Sequence, residues 1–423
     1  MLNRLNIEDK HKILNMSEKI PYIRVGTTYY KLIEKPQISG DKTLTLTKWS
    51  RETILHDHNK KYVFDIPKYD GFCCIPNHLN YQKTIENFYN IYNEIPHQPT
   101  LVKVTVEEIP FTISFLEHIF GKQVDLGLDY LKILLEKPTQ ILPILCLVSK
   151  ERTTGKTTFL KWLKEIFGLN MTYIKGDSFN SQFNSDWASM LLIAIDEVFF
   201  DRKEITERLK YLSTTNKDKL ENKGKDREEI DFFGKFILCS NNEDNFIQID
   251  ENEIRFWILK INPLKSENTD FLEHLKSEIP LFLRFLIDRE FFSAKKTRMW
   301  FASEEIKTKA LQKLFFKSAN KLEYKMVELL FEFFEANDDK EISVVPQDIL
   351  NMLNKMFKQT YFTRNDVRSI LKDKWKLEPQ KNGLTYIRYD IDHSGIFCQN
   401  NSVGRYFTIS KNFISTKTVD LLN

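Results

Sequence analysis

Short apolar runs set the rhythm of the middle of the chain. Residues 141–148, 190–195, 235–239 and 256–261 are nearly unbroken hydrophobic stretches, and helical patterns lie between them. Runs this apolar suit strands buried on both faces, so they predict a mainly parallel sheet with flanking helices. Just upstream, Phe111, Phe115, Ile119 and Phe120 recur at helical spacing, as do Leu128, Leu131, Leu134 and Leu135, and residues 98–140 read as a helical collar. Residues 1–97 mix strand-like runs (22–25, 29–33 and 62–66) with an aromatic stretch of helical period at 81–92. Residues 266–320 return to helices. Residues 321–423 carry helical patterns at 321–336, 347–357 and 364–375, with Thr363 and Asp366 as a capping-type start for the last. An Asn382-Gly383 hairpin signal then precedes strands at 384–391 and 405–409. Three helices followed by a hairpin is the order of a winged helix. The expected fold is therefore α/β: a parallel-sheet core at 141–265 with flanking helices, a mixed N-terminal domain at 1–97, the collar, the helical segment and a winged-helix-like domain at the end.

Composition narrows the class without choosing the function. The chain has 423 residues, 42% hydrophobic and 29% charged, with a net charge of +3. That profile is soluble and globular, and it excludes a globally basic coat. The basic excess sits at the C-terminal end, where 13 Lys and Arg face eight Asp and Glu from residue 340 onward. Five cysteines, Cys73, Cys74, Cys146, Cys239 and Cys398, form no C-x-x-C pair, which fits a reducing cytoplasm better than a disulfide scaffold or zinc ribbon. No leader-like N-terminus and no membrane-length apolar run is expected. His56, His58, Cys73, Cys74 and His78 read as ordinary loop and core positions before they read as a metal site.

The sharpest chemical signal is Ser149-Lys150-Glu151-Arg152-Thr153-Thr154-Gly155-Lys156-Thr157-Thr158. Gly-Lys followed by Ser or Thr turns up by chance in roughly one chain in five of this length, so the context decides. Here a strand precedes it, and a helix with Phe159, Leu160, Leu163, Ile166 and Phe167 on one face follows. Backbone N–H groups and the helix dipole then favour phosphate. Gly155 allows close approach, Lys156 neutralises the outer phosphates of ATP, and the Thr157 hydroxyl ligates Mg²⁺. Lys150 stands where a first glycine is usual, so the loop curves differently or gains a charge.

Partners follow at useful distances. Residues 191–195 lead into Asp196 and Glu197, an acidic pair at a strand's C-terminal end, where ligands collect in open α/β sheets. Asp196 is placed to hold Mg²⁺ and Glu197 to orient or deprotonate water; the plainer reading is a strand cap. Asn241, with Asn242 beside it, ends the strand at 235–239 and reads as a γ-phosphate sensor or as a turn. Arg255 precedes the last strand and is placed to reach a neighbouring subunit's nucleotide, or to pair with Glu251 or Glu253. Between acids and sensor, residues 216–227 form a charged segment with Lys217, Lys219, Lys223 and Lys225, either a projecting loop that grips phosphates of single-stranded DNA or a solvated face.

Together these motifs resemble the superfamily 3 helicases within the AAA+ ATPases, and more narrowly the primase-helicase proteins of phages and mobile elements. Tyr22-Ile23-Arg24-Val25-Gly26, Lys68-Tyr69-Asp70-Gly71-Phe72, Leu142-Pro143-Ile144-Leu145 and Arg298-Met299-Trp300-Phe301 are similar to that narrower group. The resemblance implies an ATP- and Mg²⁺-dependent ring, usually hexameric, that moves on single-stranded DNA. It assigns Lys156 and Thr157 to the phosphate loop, Asp196 and Glu197 to the acidic pair, Asn241 to the sensor and Arg255 to the trans-acting arginine. For the pore lysine, Lys223 or Lys225 comes before Lys217 and Lys219. No primase chemistry is legible, so priming falls to a separate chain. The basic C-terminal domain, with Arg364, Arg368, Lys372, Lys374 and Lys376 on or just after its recognition helix, binds duplex origin DNA or docks a protein, or presents a solvated helix face. The competing expectation is an AAA+ initiator or regulator that assembles on DNA without unwinding it.

Overall fold

The structure, a computed structural model, describes residues 20–38, 42–179, 181, 183–200, 203–221, 227–243, 246–249, 253–264, 268–319, 321–357, 362–392 and 395–422. The chain divides into two compact units. One comprises residues up to 246 together with 254–308, and the other residues 309–423 with the short stretch 247–253.

The first unit begins with a small twisted sheet. Strands β1 (Tyr22–Val25), β2 (Thr28–Pro36), β3 (Lys42–Trp49) and β4 (Lys68–Tyr69) lie in the order β3-β2-β1-β4. Because side chains alternate across a strand, Tyr22 packs with Ile54, Val63 and Ile66 while Ile23 and Val25 pack with Tyr89 on the other face. Two short helices, α1 (Arg51–Asp57) and α2 (Lys60–Asp65), cover the Tyr22 face. This corrects the strand expected at 62–66. Asn59 caps α2 by accepting from the Tyr62 N–H at 2.9 Å, and Val63 and Ile66, three apart, share one helical face.

The helix expected at 81–92 is also corrected. That segment forms β6 (Thr84–Ile85) and β7 (Phe88–Asn90), with β5 (Gly71–Cys73) pairing parallel to β7. Glu86 turns the chain at φ +50°. The buried Asn90 side chain accepts from the Ile75 and Tyr92 N–H groups and donates to the Ile75 and Gln82 carbonyls. One amide thus supplies four partners to an irregular backbone, a stronger constraint than aromatic spacing.

Helices α3 (Pro110–Phe120) and α4 (Val124–Glu136) form the expected helix pair. Glu278 caps α3 from a distance, accepting from the Phe111 and Thr112 N–H groups at 3.2 and 2.7 Å. Phe115, Ile119 and Phe120 enter the main core, whereas Phe111 is partly exposed and stacks on His274 at 4.5 Å.

The centre is a five-stranded, all-parallel sheet. Strands β8 (Ile144–Val148), β9 (Met171–Ile174), β10 (Leu192–Ile195), β13 (Lys235–Ser240) and β14 (Phe256–Lys260) lie in the order β14-β8-β13-β10-β9. Nearly every strand residue is buried, as runs covered on both faces require. Helix α5 (Lys156–Phe167) packs Phe159, Trp162, Leu163 and Ile166 into the same core as α3, α4, α8 (Phe271–Ser277) and α9 (Ile279–Asp288). Each such side chain contributes roughly 1.5–3 kcal/mol on burial. Two short helices, α6 (Gly176–Phe179) and α7 (Lys203–Leu212), flank β10 in sequence, and α10 (Ser303–Ile306) follows α9.

The charged segment after α7 is not simply a loop. Its ends form an antiparallel hairpin of β11 (Lys217–Leu220) and β12 (Glu228–Asp231). The buried Asn184 holds the hairpin by donating to the Lys219 carbonyl at 2.8 Å and accepting from the Glu221 N–H at 2.8 Å.

In the second unit, α11 (Lys309–Ala319) and α12 (Lys321–Ala336) precede β15 (Glu341–Val344), α13 (Pro346–Phe357) and α14 (Arg364–Ser369), which runs into a π turn at Ile370–Lys374. β16 (Leu384–Ile391) and β17 (Phe397–Gly404) pair antiparallel, β18 (Phe407–Ser410) pairs with β15, and α15 (Lys411–Leu422) closes the chain. Met326, Leu330, Phe333, Ile349, Val367, Trp375 and Ile409 share one core. Asn382-Gly383 lies before β16 and is not the hairpin turn. The turn follows Ile391, where Asp392 accepts from the Ile396 N–H at 3.0 Å and Gly395 takes φ +82°. Among the described residues no helix is long and apolar enough to cross a membrane.

Candidate functional site

Parallel strands bring all their C-terminal ends to one edge of the sheet, and the turn after β8 opens there. β8 leads on to β9, on its β13 side, while the neighbouring β13 leads back to β14 on the far side of β8, so connections leave adjacent strands in opposite directions, a crevice where α/β sheets bind ligands. The turn takes left-handed conformations at Thr153 (φ +54°) and Gly155 (φ +86°), and Gly155 caps α5. At Gly155 a side chain would also meet the Phe115 ring at 3.1 Å. Sterics and backbone conformation together therefore require glycine. Thr153 holds its strained angle with its carbonyl accepting from the Leu264 N–H at 3.0 Å.

The turn encloses a cavity of about 320 Å³ lined by residues 152–158 with Asp196, Glu197 and Asn241. Lys150 and Glu151, also expected at this site, are not among its lining residues. Lys156 is buried, and its Nζ donates to Thr154 Oγ1 at 3.1 Å. Burial pulls its pKa below the ordinary lysine value, while Cys239, Asp196, Glu243 and Glu151 pull it back. The Thr157 hydroxyl lies 3.4 Å from Asp196 Oδ2. A hydroxyl beside a carboxylate, next to a lysine and a row of backbone amides, is a donor set suited to a magnesium-bound triphosphate.

The acids and the sensor come from neighbouring strands. Asp196 follows β10 and its Oδ1 accepts from the Glu197 N–H at 3.0 Å. Glu197 is exposed and held at φ +55°, a conformation costly for a non-glycine residue and common at active sites. β13 lies between β8 and β10, which brings Asn241 to the cavity. Of the adjacent pair, Asn241 lines the space, while the Asn242 N–H donates to Ser240 Oγ at 3.1 Å.

Arg255 is elsewhere. It directly precedes β14, its carbonyl accepts from the Ile144 N–H at 2.8 Å, and Phe256 pairs with Ile144 at the start of β8. It therefore lies at the N-terminal edge of the sheet, about 16 Å along the strand from the turn.

The four lysines divide as well. Lys217 pairs with Asp231 at 2.9 Å and Glu229 at 3.6 Å across the hairpin. Lys219 is exposed. Lys223 and Lys225 lie outside the described residues, as does Glu251. His78 is buried between the Leu135 carbonyl and Tyr92 Oη, at 2.9 and 2.7 Å, and burial takes its pKa down to about 4. Among the described residues no group of three or more His, Cys, Asp or Glu side chains is arranged to hold a metal ion.

Sequence reasoning missed the residues that brace the turn. His118 Nε2 lies 3.0 Å from the Thr154 carbonyl, and Glu243 accepts from the Lys150 N–H at 3.0 Å. Their partners are distant in sequence, and no local pattern marks either residue.

Comparison with known proteins places this fold. A model for a family of unknown function, DUF5906, matches residues 147–255, from β8 through the turn, the acids and the hairpin to Arg255. No curated protein matches the chain in sequence. Among solved structures, the apo C-terminal region of NrS-1 is similar over 90% of this chain and 96% of that one, with 15% identity and a TM-score of 0.54. An A form of that region aligns over 89% and 94%, at 15% identity and a TM-score of 0.52. The JCV helicase aligns over 50% of this chain and 60% of that chain at 15% identity with a TM-score of 0.30, too loose to inform the fold. The chain is thus a mixed α/β protein with a five-stranded parallel sheet and flanking helices, sharing the fold of the NrS-1 C-terminal region.

Proposed function

We propose that the chain is an ATP-dependent DNA helicase of the superfamily 3 type, a ring translocase on single-stranded DNA in the replication of a phage or mobile element. The observation that carries the reading is the split between sheet edges. Lys156, Thr157, Asp196, Glu197 and Asn241 meet at one cavity, and Arg255 stands at the opposite edge. A chain built this way completes its site with an arginine from a neighbouring copy.

Within that reading each residue has one task. The turn's N–H groups and Lys156 hold the phosphates of ATP. Thr157 and Asp196 would hold Mg²⁺, which would supply charge neutralisation to the phosphates. Glu197 orients the attacking water, Asn241 reads the γ-phosphate, and the charged segment that contains Lys217, Lys219, Lys223 and Lys225 contacts DNA. The test is ATP hydrolysis stimulated by single-stranded DNA together with displacement of a labelled strand from a forked duplex. Stimulation with displacement supports the helicase.

A second reading is an AAA+ initiator or regulator that binds duplex without unwinding it. It draws on the exposed Arg364, Arg368 and Lys372 around α14 and on the helix-and-hairpin order of the second unit. ATP-dependent duplex binding without strand displacement would favour it.

A further inference from the structure

Glu243 is the one fully buried acid beside the nucleotide cavity among the described residues. It is 6% exposed, while Asp196 is half-buried and Glu197 and Glu151 are open to solvent. It follows Asn241 by two residues and does not line the cavity. Both of its oxygens are engaged. Oε1 accepts from the Lys150 backbone N–H at 3.0 Å, and Oε2 accepts from Lys260 Nζ, also at 3.0 Å. Alongside, the Ser149 N–H donates to the Ser240 carbonyl at 3.2 Å.

The three segments joined here have separate tasks in the proposed function, on which this inference rests. Lys150 is the entry of the phosphate-binding turn, at the place where a first glycine is usual. Residues 241–243 carry the sensor. Lys260 ends the strand that Arg255 precedes. A lysine at the entry lacks a glycine's conformational freedom, and an N–H directed at a carboxylate is not directed at a phosphate. A buried carboxylate is costly unless its oxygens are satisfied. Once satisfied by an amide and an ammonium, it becomes a strong and directional tie.

We propose that Glu243 is a positioning residue of the nucleotide site, tying the entry of the phosphate-binding turn to the sensor segment and to the end of β14. It acts through Lys150 and touches no nucleotide. Its loss therefore changes how well the turn is preformed for phosphate and leaves the acids and Arg255 in place.

The experiment titrates the full-length chain with mant-ATP and Mg²⁺ and measures KM and kcat for ATP. Glu243→Ala is expected to raise Kd and KM about tenfold with kcat changed less than about threefold, the loss of one hydrogen bond to a charged acceptor. Glu243→Gln retains an oxygen for the Lys150 N–H and should recover most of the affinity. Glu243→Asp draws the carboxylate back by one methylene and should raise KM about fivefold; it carries the test should the alanine variant not fold. Wild-type KM in the alanine or aspartate variant overturns the proposal. So does a glutamine variant as impaired as alanine, because an oxygen kept within reach of the Lys150 N–H would then not be what the turn requires. Wild-type protein that binds no mant-ATP overturns the nucleotide reading itself, a result distinct from intact binding that ignores position 243.

Discussion

Two buried lysines stand at opposite ends of the same parallel sheet, and their surroundings give them opposite characters. Lys156, 7% exposed, follows β8 at the C-terminal edge. Burial lowers its pKa, but Asp196, Glu243 and Glu151 lie near enough to favour its charge. Lys235, 4% exposed, opens β13 at the N-terminal edge. Its Nζ donates to the Pro138 and Phe233 carbonyls, and burial, which no acid among the described residues offsets, takes its pKa down to about 7. One edge keeps a cation available for an anionic ligand. The other uses an amine to fasten backbone. Burial alone therefore does not mark a functional lysine; neighbouring acids that keep it charged are the better sign.

The largest effect should come from the cation that belongs to the N-terminal edge yet is proposed to serve a cavity. Arg255→Ala is expected to lower ATP turnover by about 10³–10⁵. Turnover should return in part when this variant is mixed with Glu197→Gln subunits, since each supplies what the other lacks. If mixtures stay as inactive as their components, Arg255 belongs to its own edge and the division of labour fails.

The two lysines themselves come next. Lys156→Ala should reduce turnover by about 10²–10³, the usual cost of removing one preorganised charge donor. Lys235→Met should leave turnover within about threefold. Equal losses in a steady-state assay would erase the distinction between the edges.

The C-terminal edge was far more legible in the sequence than the rest. A strand, a Gly-Lys-Thr turn and a helix are adjacent in the chain, and apolar runs ending in Asp196 or Asn241 state their own position on a parallel sheet. The bracing by Glu243 and His118 was not legible, because each meets the turn across a fold that no local pattern encodes. Residues 62–66 and 81–92 were misread for a different reason. Short aromatic runs satisfy both periods, and the caps and amides that decide, Asn59 and Asn90, carry no period at all. The hairpin flanks at Lys217–Leu220 and Glu228–Asp231 were hidden by their charge, since strands with little apolar content resemble loops.

A pH measurement sharpens the contrast. Unfolded, Lys235 regains the ordinary lysine pKa of 10.5; folded, it titrates near 7. Between these values the unfolded chain binds more protons, so stability should rise as pH climbs from about 7 toward 10.5 and fall on the way back. The slope from this one group is at most about 1.4 kcal/mol per pH unit. Chemical unfolding of wild type against Lys235→Met checks it: the methionine variant should be flatter across that window. Parallel curves would mean that Lys235 stays charged in the fold.

The smallest effect tests whether the same logic governs the hairpin. Lys217 is engaged by Asp231 and Glu229, which raise its pKa, so its charge is already partly neutralised by the protein. Lys219 is exposed on the same strand. If cations kept from protein acids are the ones that meet phosphates, Lys219→Ala should reduce the salt dependence of single-strand binding by about 0.7 in the slope of log K against log salt, one phosphate contact's worth. Lys217→Ala should change it less, because displacing Asp231 and Glu229 offsets part of any gain from DNA. Fluorescence anisotropy with an oligothymidylate across a salt series measures both slopes. A larger change at Lys217 would mean that DNA exchanges places with Asp231, and that the ion pair is a latch opened on binding.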